Sequence, residues 1–290
     1  MAGLPLLSAS SVTTFLRCGQ QWYFSYVAAI KSPPTLKQAR GLAVHKAVEV
    51  NMRQKITSRA DLSLDDVGDA YVTEYNALSV DVEEDRHEIG DYKDTGVALA
   101  RLHTKVIAPE IQPVWVEQPV QFALNDIPFS GQVDLLDEES RIRDTKTTAR
   151  KPTPENYTLN MTGYALSYRQ ITGAIETDTV LDYLVATKKP YYLPVMAGGP
   201  VSDEEIVRFA NIVEVVANAI KAGRFVPNGL ASGACSWCGY KAICPAYQQR
   251  GTKEFDFDAF GHGIVKGFQV PRFEAVSRNG LDDFVRVPVG

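Results

Sequence analysis

The chain has 290 residues, 45% of them apolar and 22% charged, with a formal net charge of −5. This composition supports one large domain or two small ones with a hydrophobic core, and it excludes collagen-like, low-complexity and disordered chains. No apolar stretch approaches the roughly 20 residues that a membrane span needs, so no membrane association is expected. The N-terminus lacks a basic start followed by a long apolar run and is not expected to be a secretory signal. We therefore expect a cytoplasmic protein whose cysteines bind a metal or cluster rather than form disulfides.

The first 110 residues are predicted to be a helical region. Serines suited to N-capping and a run of aromatic residues predict one helix from Ser8 to Tyr26, ended by Pro33 and Pro34. Apolar residues at helical spacing predict further helices over 38–55, 64–78 and 92–106.

The pattern changes to strands after Pro113. Strands are predicted over 114–123, 129–137, 141–147, 179–187 and 191–195, with a helix over 157–171 between the third and the fourth. A capping box at Ser202 opens a last helix that ends at Ala222. We therefore predict a mixed α/β core over 111–225 behind the helical region 1–110, then a cysteine-rich segment over 226–250 and a tail over 251–290.

Charge is distributed unevenly along the chain. Residues 1–56 contain seven Lys or Arg and one acid, and residues 221–250 contain four and none. Between them, residues 61–94 contain twelve acids against two basic residues. The negative total therefore conceals two basic segments, which are either solvated surface or contacts for a polyanion.

A predicted hairpin carries the most informative residues. If its turn centres near Glu139, Asp134 lies opposite Asp144, and two facing carboxylates repel unless a cation neutralises them. Asp144 and Lys146 are two positions apart on one strand and point to the same face. This group suits Mg²⁺ or Mn²⁺ and phosphodiester hydrolysis, although short acid and lysine patterns also occur in surface hairpins.

His45 is the histidine that we single out. It follows Gly41 by one helical turn, and the glycine would allow a close approach to another segment. Imidazole is an acceptable ligand for Mn²⁺, although a lone histidine on a helix is more often structural. The other histidines, His87, His103 and His262, are predicted to be structural.

The four cysteines form a three-plus-one pattern. Cys18 stands alone near the N-terminus, and the other three have the spacing C-x2-C-x5-C at Cys235, Cys238 and Cys244. Four thiolates suit an iron–sulfur cluster or a structural zinc ion, and the spacing favours [4Fe–4S]. Either centre would join the two ends of the chain.

Taken together, these residues resemble the PD-(D/E)xK nuclease superfamily, in its RecB-like iron–sulfur branch of CRISPR-associated exonucleases and phage relatives. The resemblance extends from Leu7 to about Tyr247. The motifs, in the order of the family, are Ser8-x-Ser10 with Phe15-x-x-Cys18-x-x-x-Trp22-Tyr23-Phe24, Gly41-x-x-x-His45, Gly131-x-x-Asp134, Asp144-x-Lys146, and the cysteine trio followed by Pro245.

The resemblance implies a restriction-endonuclease-like core, a mixed central sheet flanked by helices, and a role for each motif. His45, Asp134, Asp144 and the Thr145 carbonyl would bind the metal, and Lys146 would assist the nucleophile. Cys18, Cys235, Cys238 and Cys244 would hold a [4Fe–4S] cluster. The family's Gln-x3-Tyr motif corresponds to Asn160-x-x-x-Tyr164, with Asn in place of Gln. Gly19 stands where a proline commonly follows the first cysteine, and Glu117 stands where the family sometimes has an acid or forms a structural ion pair.

The expected function is that of a metal-dependent exonuclease acting on single- or double-stranded DNA ends, in recombination, end processing or phage- and CRISPR-related DNA metabolism. Homo-oligomers are compatible with the resemblance. The alternatives are a DNA-binding or assembly module that has lost catalysis, and a nuclease stapled by zinc.

Overall fold

A mixed six-stranded sheet organises the chain in the computed structural model, which describes residues 5–80, 86–151 and 158–248. The strands are β1 (Leu7–Ser8), β2 (Pro113–Leu124), β3 (Ile127–Asp137), β4 (Arg141–Thr148), β5 (Asp178–Val185) and β6 (Tyr191–Met196). Their order is β1-β3-β4-β5-β6, with β2 on the other edge of β3. β4 and β5 are parallel, as are β1 and β3, and the other pairs are antiparallel.

Two groups of helices cover the sheet. The helices are α1 (Ala9–Arg17), α2 (Gly19–Tyr26), α3 (Leu36–Ser58), α4 (Leu64–Ser79), α5 (Arg86–Leu102), α6 (Thr158–Thr172), α7 (Asp203–Lys221) and the short α8 (Pro245–Gln248). One hydrophobic core joins α3, α4 and α5 to β2, β3 and β5 through Val116, Leu135 and Leu184. Two others pack α1, α6 and α7 against the sheet. The fold is therefore the predicted mixed sheet flanked by helices.

The N-terminal prediction was wrong in one respect. Residues 8–26 do not form one helix, because Leu7 and Ser8 pair with β3 as a short strand and Cys18 has extended dihedral angles between α1 and α2. Ser8 nevertheless caps α1, since its side chain accepts a hydrogen bond from the Ser11 amide. The break turns Cys18 out of the helical path, which a periodicity argument does not detect.

The other elements begin and end close to their predicted positions. α3 is longer than predicted because Thr35 and Gln38 form a capping box before it. α5 begins at Arg86 rather than at residue 92, and it passes into a π-helical turn, His103–Ile107, rather than continuing. The predicted tail 251–290, including His262, and the predicted first residue of α6 lie outside the described residues. No helix in the described ranges is both long and apolar enough to cross a membrane.

Candidate metal centre and cysteine cluster

The predicted acidic pair lies where two strands of the sheet separate. β3 and β4 pair through Leu135–Arg143 and Leu136–Ile142, which is the register predicted from the sequence. Farther along β3 the same edge is taken by β1, through Leu7–Phe129, so the two strands diverge into a fork. Asp134 and Asp144 are the next residues on each strand at the mouth of this fork. The backbone therefore brings the two carboxylates together at a gap that opens to one end of the sheet.

Helix α3 adds an imidazole to the fork. His45 Nδ1 lies 3.8 Å from Asp134 Oδ2, and His45 Nε2 lies 3.6 Å from Asp144 Oδ1. The same Nε2 contacts the carbonyl oxygen of Thr145. One turn earlier, a Cβ at Gly41 would lie only 3.2 Å from Thr147 Oγ1, so the glycine allows the close approach of α3 to β4. The ligand atoms of His45, Asp134 and Asp144 all lie within 4.8 Å of one another.

The Asp144 carboxylate is buried and short of hydrogen-bond donors. Its residue is 1% exposed, and neither carboxylate oxygen has a hydrogen bond among the described residues. The Lys146 ammonium lies 2.6 Å from Asp144 Oδ2 as an ion pair. Burying a carboxylate with unfilled acceptor positions is costly unless a cation completes its surroundings. A buried carboxylate that keeps unfilled acceptor positions beside a single ammonium fits a bound metal ion.

The charges in the fork shift the pKa of each group. Burial opposes ionisation of Asp144, but the adjacent Lys146 and His45 outweigh it and lower the pKa of Asp144. Burial and the charge on Asp144 raise the pKa of Asp134 well above its ordinary value. Burial opposes the protonation of His45, but Asp144 and Asp134 raise the pKa of its imidazole. The surroundings thus favour ionisation of Asp144 and oppose ionisation of Asp134.

Two further predicted residues border the fork and one does not. The Tyr164 hydroxyl donates a hydrogen bond of 3.2 Å to Asp134 Oδ1, and burial beside the carboxylates raises the pKa of this phenol. Glu117 lies on β2, between Val116 and Gln118, which pair with the two neighbours of Asp134 on β3. It has a left-handed conformation with φ of 51° and accepts a hydrogen bond from Gln132. It is outside the group that converges within 4.8 Å. Asn160 instead accepts a hydrogen bond of 3.3 Å from Thr13 of α1.

One imidazole, two carboxylates and a nearby backbone carbonyl form an oxygen-rich donor set that suits Mg²⁺ or Mn²⁺. His45, Asp134 and Asp144 would hold the ion, with the Thr145 carbonyl beside them. A divalent ion in such a site acidifies a bound water and offsets negative charge on a phosphate. Lys146, held against Asp144, would keep that carboxylate ionised and place a positive charge beside an anionic group in the fork.

The four cysteines converge although Cys18 is far from the others in sequence. Cys18, Cys235, Cys238 and Cys244 line one cavity, all with free thiols. A Cβ at Gly229 would lie 2.9 Å from the Cys235 sulfur and 3.5 Å from the Cys18 sulfur, so only glycine fits between them. Burial raises the pKa of Cys235 and of Cys244.

Backbone contacts join the two chain ends around these cysteines. The Gly19 amide donates to the Val226 carbonyl at 2.8 Å, and a Cβ at Gly19 would lie 2.7 Å from the Val226 nitrogen. A proline here would lose that hydrogen bond, which explains the departure from the family pattern. The Ser232 hydroxyl donates to the Arg17 carbonyl across 215 residues of sequence.

Sequence analysis missed two residues beside these sites. Arg17 stacks over the Trp237 ring at 4.8 Å, and Cys238 and Cys18 are among the groups that act on its pKa. Gln132 donates to Glu117 next to the fork. Both stand one or two positions from a motif residue, Cys18 and Asp134, and that adjacency is the only signal that could have found them.

The PD-(D/E)XK nuclease superfamily matches residues 6–245 of the chain. The chain therefore belongs to this superfamily. No curated protein matches the chain.

A solved structure supports the fold. The crystal structure of a putative exonuclease from Eubacterium rectale superposes with a TM-score of 0.54 at 11% identity, covering 86% of this chain and 89% of that chain. The structure of SSO0001 gives a TM-score of 0.35 at 13% identity, covering 81% of this chain and 96% of the other, and is too distant to support an argument.

Proposed function

We propose that this protein is a divalent-metal-dependent exonuclease that hydrolyses phosphodiester bonds at DNA ends. The observation that carries the proposal is the fork, where His45, Asp134 and Lys146 meet around the buried carboxylate of Asp144. Membership of a nuclease superfamily supports a phosphodiester substrate. The Eubacterium rectale protein, described as a putative exonuclease, supports action at ends, as does the resemblance of the sequence motifs to those of CRISPR-associated and phage exonucleases.

Each residue of the fork has a proposed role in this chemistry. His45, Asp134 and Asp144 hold the metal ion, and the Thr145 carbonyl contributes a further oxygen. Lys146 orients the attacking hydroxide and stabilises the negative charge that develops on the phosphate. Tyr164 positions Asp134 through its hydrogen bond, and Glu117 supports the fork from β2.

We also propose that the cysteines hold a [4Fe–4S] cluster as a structural staple. Four thiolates suit either an iron–sulfur cluster or a zinc ion. The C-x2-C-x5-C spacing of the last three cysteines, which line one cavity with Cys18, supports the cluster. Iron and acid-labile sulfide analysis tests this assignment, and stoichiometric zinc without iron would contradict it.

Degradation of linear DNA with Mn²⁺ or Mg²⁺ tests the proposed activity. We expect Asp144→Asn to lower the rate at least about a hundredfold, because it removes the charge of a metal ligand and keeps its shape. Lys146→Ala should cause a similar loss. Labels at the 5′ and 3′ ends of the substrate would report the polarity of degradation.

Asp126→Asn is the matched control, because Asp126 is an exposed acid in the β2–β3 turn. It should retain wild-type activity. Equal cleavage by wild type and Lys146→Ala would remove the enzyme proposal and favour a DNA-binding module without catalysis. Cleavage of closed circular DNA as fast as linear DNA would contradict action at ends.

A further inference from the structure

The parallel strands β4 and β5 end side by side beyond the fork. Thr148 pairs with Val185, and Val185 pairs with Tyr191 at the start of β6. The Ala186 amide donates to the Thr148 carbonyl at 2.6 Å, which holds the next loop against the end of β4. Three strand ends therefore form one row, about four residues or 13 Å along β4 from Asp144.

Exposed cations occupy the loops that leave this row. Arg150 and Lys151 follow β4, and Lys188 and Lys189 lie between β5 and β6. All four are exposed, and none forms an ion pair with a carboxylate in the described part of the chain. The positive charge of these loops is therefore available to a ligand.

Helix α3 brings a fifth cation to the same place. His45 lies at Asp144 and Gly41 lies at Thr147, so α3 runs antiparallel to β4. Lys37 is one further turn toward the N-terminus on the same face of the helix, because positions four apart are neighbours. It is exposed and about 12 Å along the helix from His45. The cations therefore lie at a similar distance from the metal centre, whether the distance is taken along β4 or along α3.

The opposite end of β4 carries acidic side chains that are paired with arginines. The β3–β4 turn contains Asp137, Glu138 and Glu139, of which Glu138 pairs with Arg59 and Glu139 pairs with Arg141. A polyanion that reached the fork from that end would meet carboxylates already neutralised within the protein. Approach over the basic loops meets unpaired cations instead.

An aromatic ring stands among the cations. Tyr191 follows Lys189 by two positions and is 42% exposed. Exposed aromatic rings beside basic side chains are typical of surfaces that bind unpaired bases by stacking and phosphates by charge. A duplex would keep its bases away from such a ring.

We propose that Lys37, Arg150, Lys151, Lys188, Lys189 and Tyr191, here called the strand-end surface, bind the single-stranded segment of DNA that leads into the fork. This inference rests on the proposed function. The 12–13 Å between the surface and the metal centre corresponds to about four nucleotides of a stacked strand. The surface therefore recognises DNA beyond the bond that is cleaved.

Anisotropy titrations with labelled oligothymidylate test the surface, in buffer without divalent ions so that the DNA stays intact. We expect the triple variant Lys37→Ala/Lys188→Ala/Lys189→Ala to bind about tenfold more weakly. The slope of log Kd against log salt should become shallower by about 2, since each contact to a single strand contributes about 0.7. A trinucleotide, which is too short to join the surface to the fork, should show a smaller loss.

Tyr191 gives an independent readout. Tyr191→Ala should weaken binding of the single strand about tenfold without changing the salt slope, and Tyr191→Phe should restore it. A hairpin duplex should be insensitive to Tyr191→Ala. Equal losses for duplex and single strand would overturn the stacking role and with it the single-strand preference.

Lys105→Ala/Lys221→Ala/Arg224→Ala is the matched control, since it removes three exposed cations, two of them from the basic segment 221–250. It should bind like wild type. An equal loss of affinity in the control variant would contradict the proposed role of the strand-end surface. Unchanged affinity of the Lys37→Ala/Lys188→Ala/Lys189→Ala variant would contradict it as well. Binding is measured without cleavage, so the absence of nuclease activity would leave the binding result valid. Metal-dependent cleavage by the wild type, combined with unchanged affinity of the triple variant, would contradict the proposed surface but not the proposed activity.

Discussion

At the scale of single residues, the chain buries ionisable groups next to the fork in two ways. Asp144 is buried ionised beside Lys146. His103 is buried neutral, 1% exposed, and neither of its ring nitrogens has a hydrogen-bond partner among the described residues. Burial, together with Arg143, His45 and Lys55, lowers the pKa of His103 to about 3. Because His103 is buried in its neutral form, the stability of the fold should depend on pH.

We expect His103 to destabilise the fold as the pH falls. The ordinary pKa of histidine is 6.5, so this side chain becomes protonated below pH 6.5 in the unfolded chain. In the native chain it stays neutral down to about pH 3. The penalty is about 1.4 kcal/mol at pH 5.5 and is absent well above pH 6.5. Denaturant unfolding of wild type and His103→Leu at pH 7.5 and 5.5 measures it as a difference that grows at the lower pH.

His87→Gln is the control for this measurement, because His87 lies exposed on α5. It should follow the pH dependence of wild type. Parallel curves for wild type and His103→Leu would show that the buried imidazole does not set the acid sensitivity.

At the scale of elements, a buried ion pair joins the strands behind the metal centre. Arg143 precedes Asp144 on β4 and points to the opposite face. Its guanidinium donates two hydrogen bonds of 3.0 and 2.8 Å to Asp182 of β5, and the Tyr192 hydroxyl of β6 donates to the same carboxylate at 2.7 Å. Burial raises the pKa of Asp182 despite the neighbouring Arg143. The pair therefore joins β4, the strand that carries Asp144, to β5 and β6.

We expect Arg143→Met to lower the free energy of unfolding by about 3–5 kcal/mol, because it leaves Asp182 buried without its cation. The double variant Arg143→Met/Asp182→Leu should recover most of this loss, since it removes both charges. Denaturant unfolding at neutral pH measures both. A double variant no more stable than the single one would show that the pair itself, rather than the isolated charge, carries the stability.

At the scale of the whole molecule, the cysteine cavity and the fork both depend on contacts between distant segments. Cys18 follows α1, and α1 packs against α6, the helix that also carries Tyr164. Trp22 stacks on Phe225 with ring centroids 5.8 Å apart. A centre bound by the cysteines would therefore fasten the N-terminal helices to the segment after α7 and support the helix that positions Tyr164.

We expect Cys238→Ser to lose bound iron and to lower the unfolding free energy by several kcal/mol, because it opens a long-range link. Thermal unfolding and iron content measure the two effects. Ser236→Ala, two positions away in the same loop, should change neither. A variant that lacks iron but unfolds like wild type would contradict the structural role.

The sequence alone was sufficient for features that depend on short spacing. Alternation along the strands predicted β2 to β6 within a few residues, and the turn near Glu139 predicted the register that places Asp134 opposite Asp144. The one-turn separation of Gly41 and His45 predicted a close approach by α3. These features are local because strand and helix periods are set by backbone geometry over a few residues.

The tertiary structure decided everything that requires distant segments to meet. The fork exists because β1, more than a hundred residues away, takes the edge of β3 that β4 leaves. The break at Cys18 arises because the Gly19 amide bonds to Val226 near the other end. The basic loops meet beyond the fork because β4 and β5 run parallel and α3 runs antiparallel to them. Pairings of this kind depend on which long loops close, and no local pattern along the chain encodes that choice.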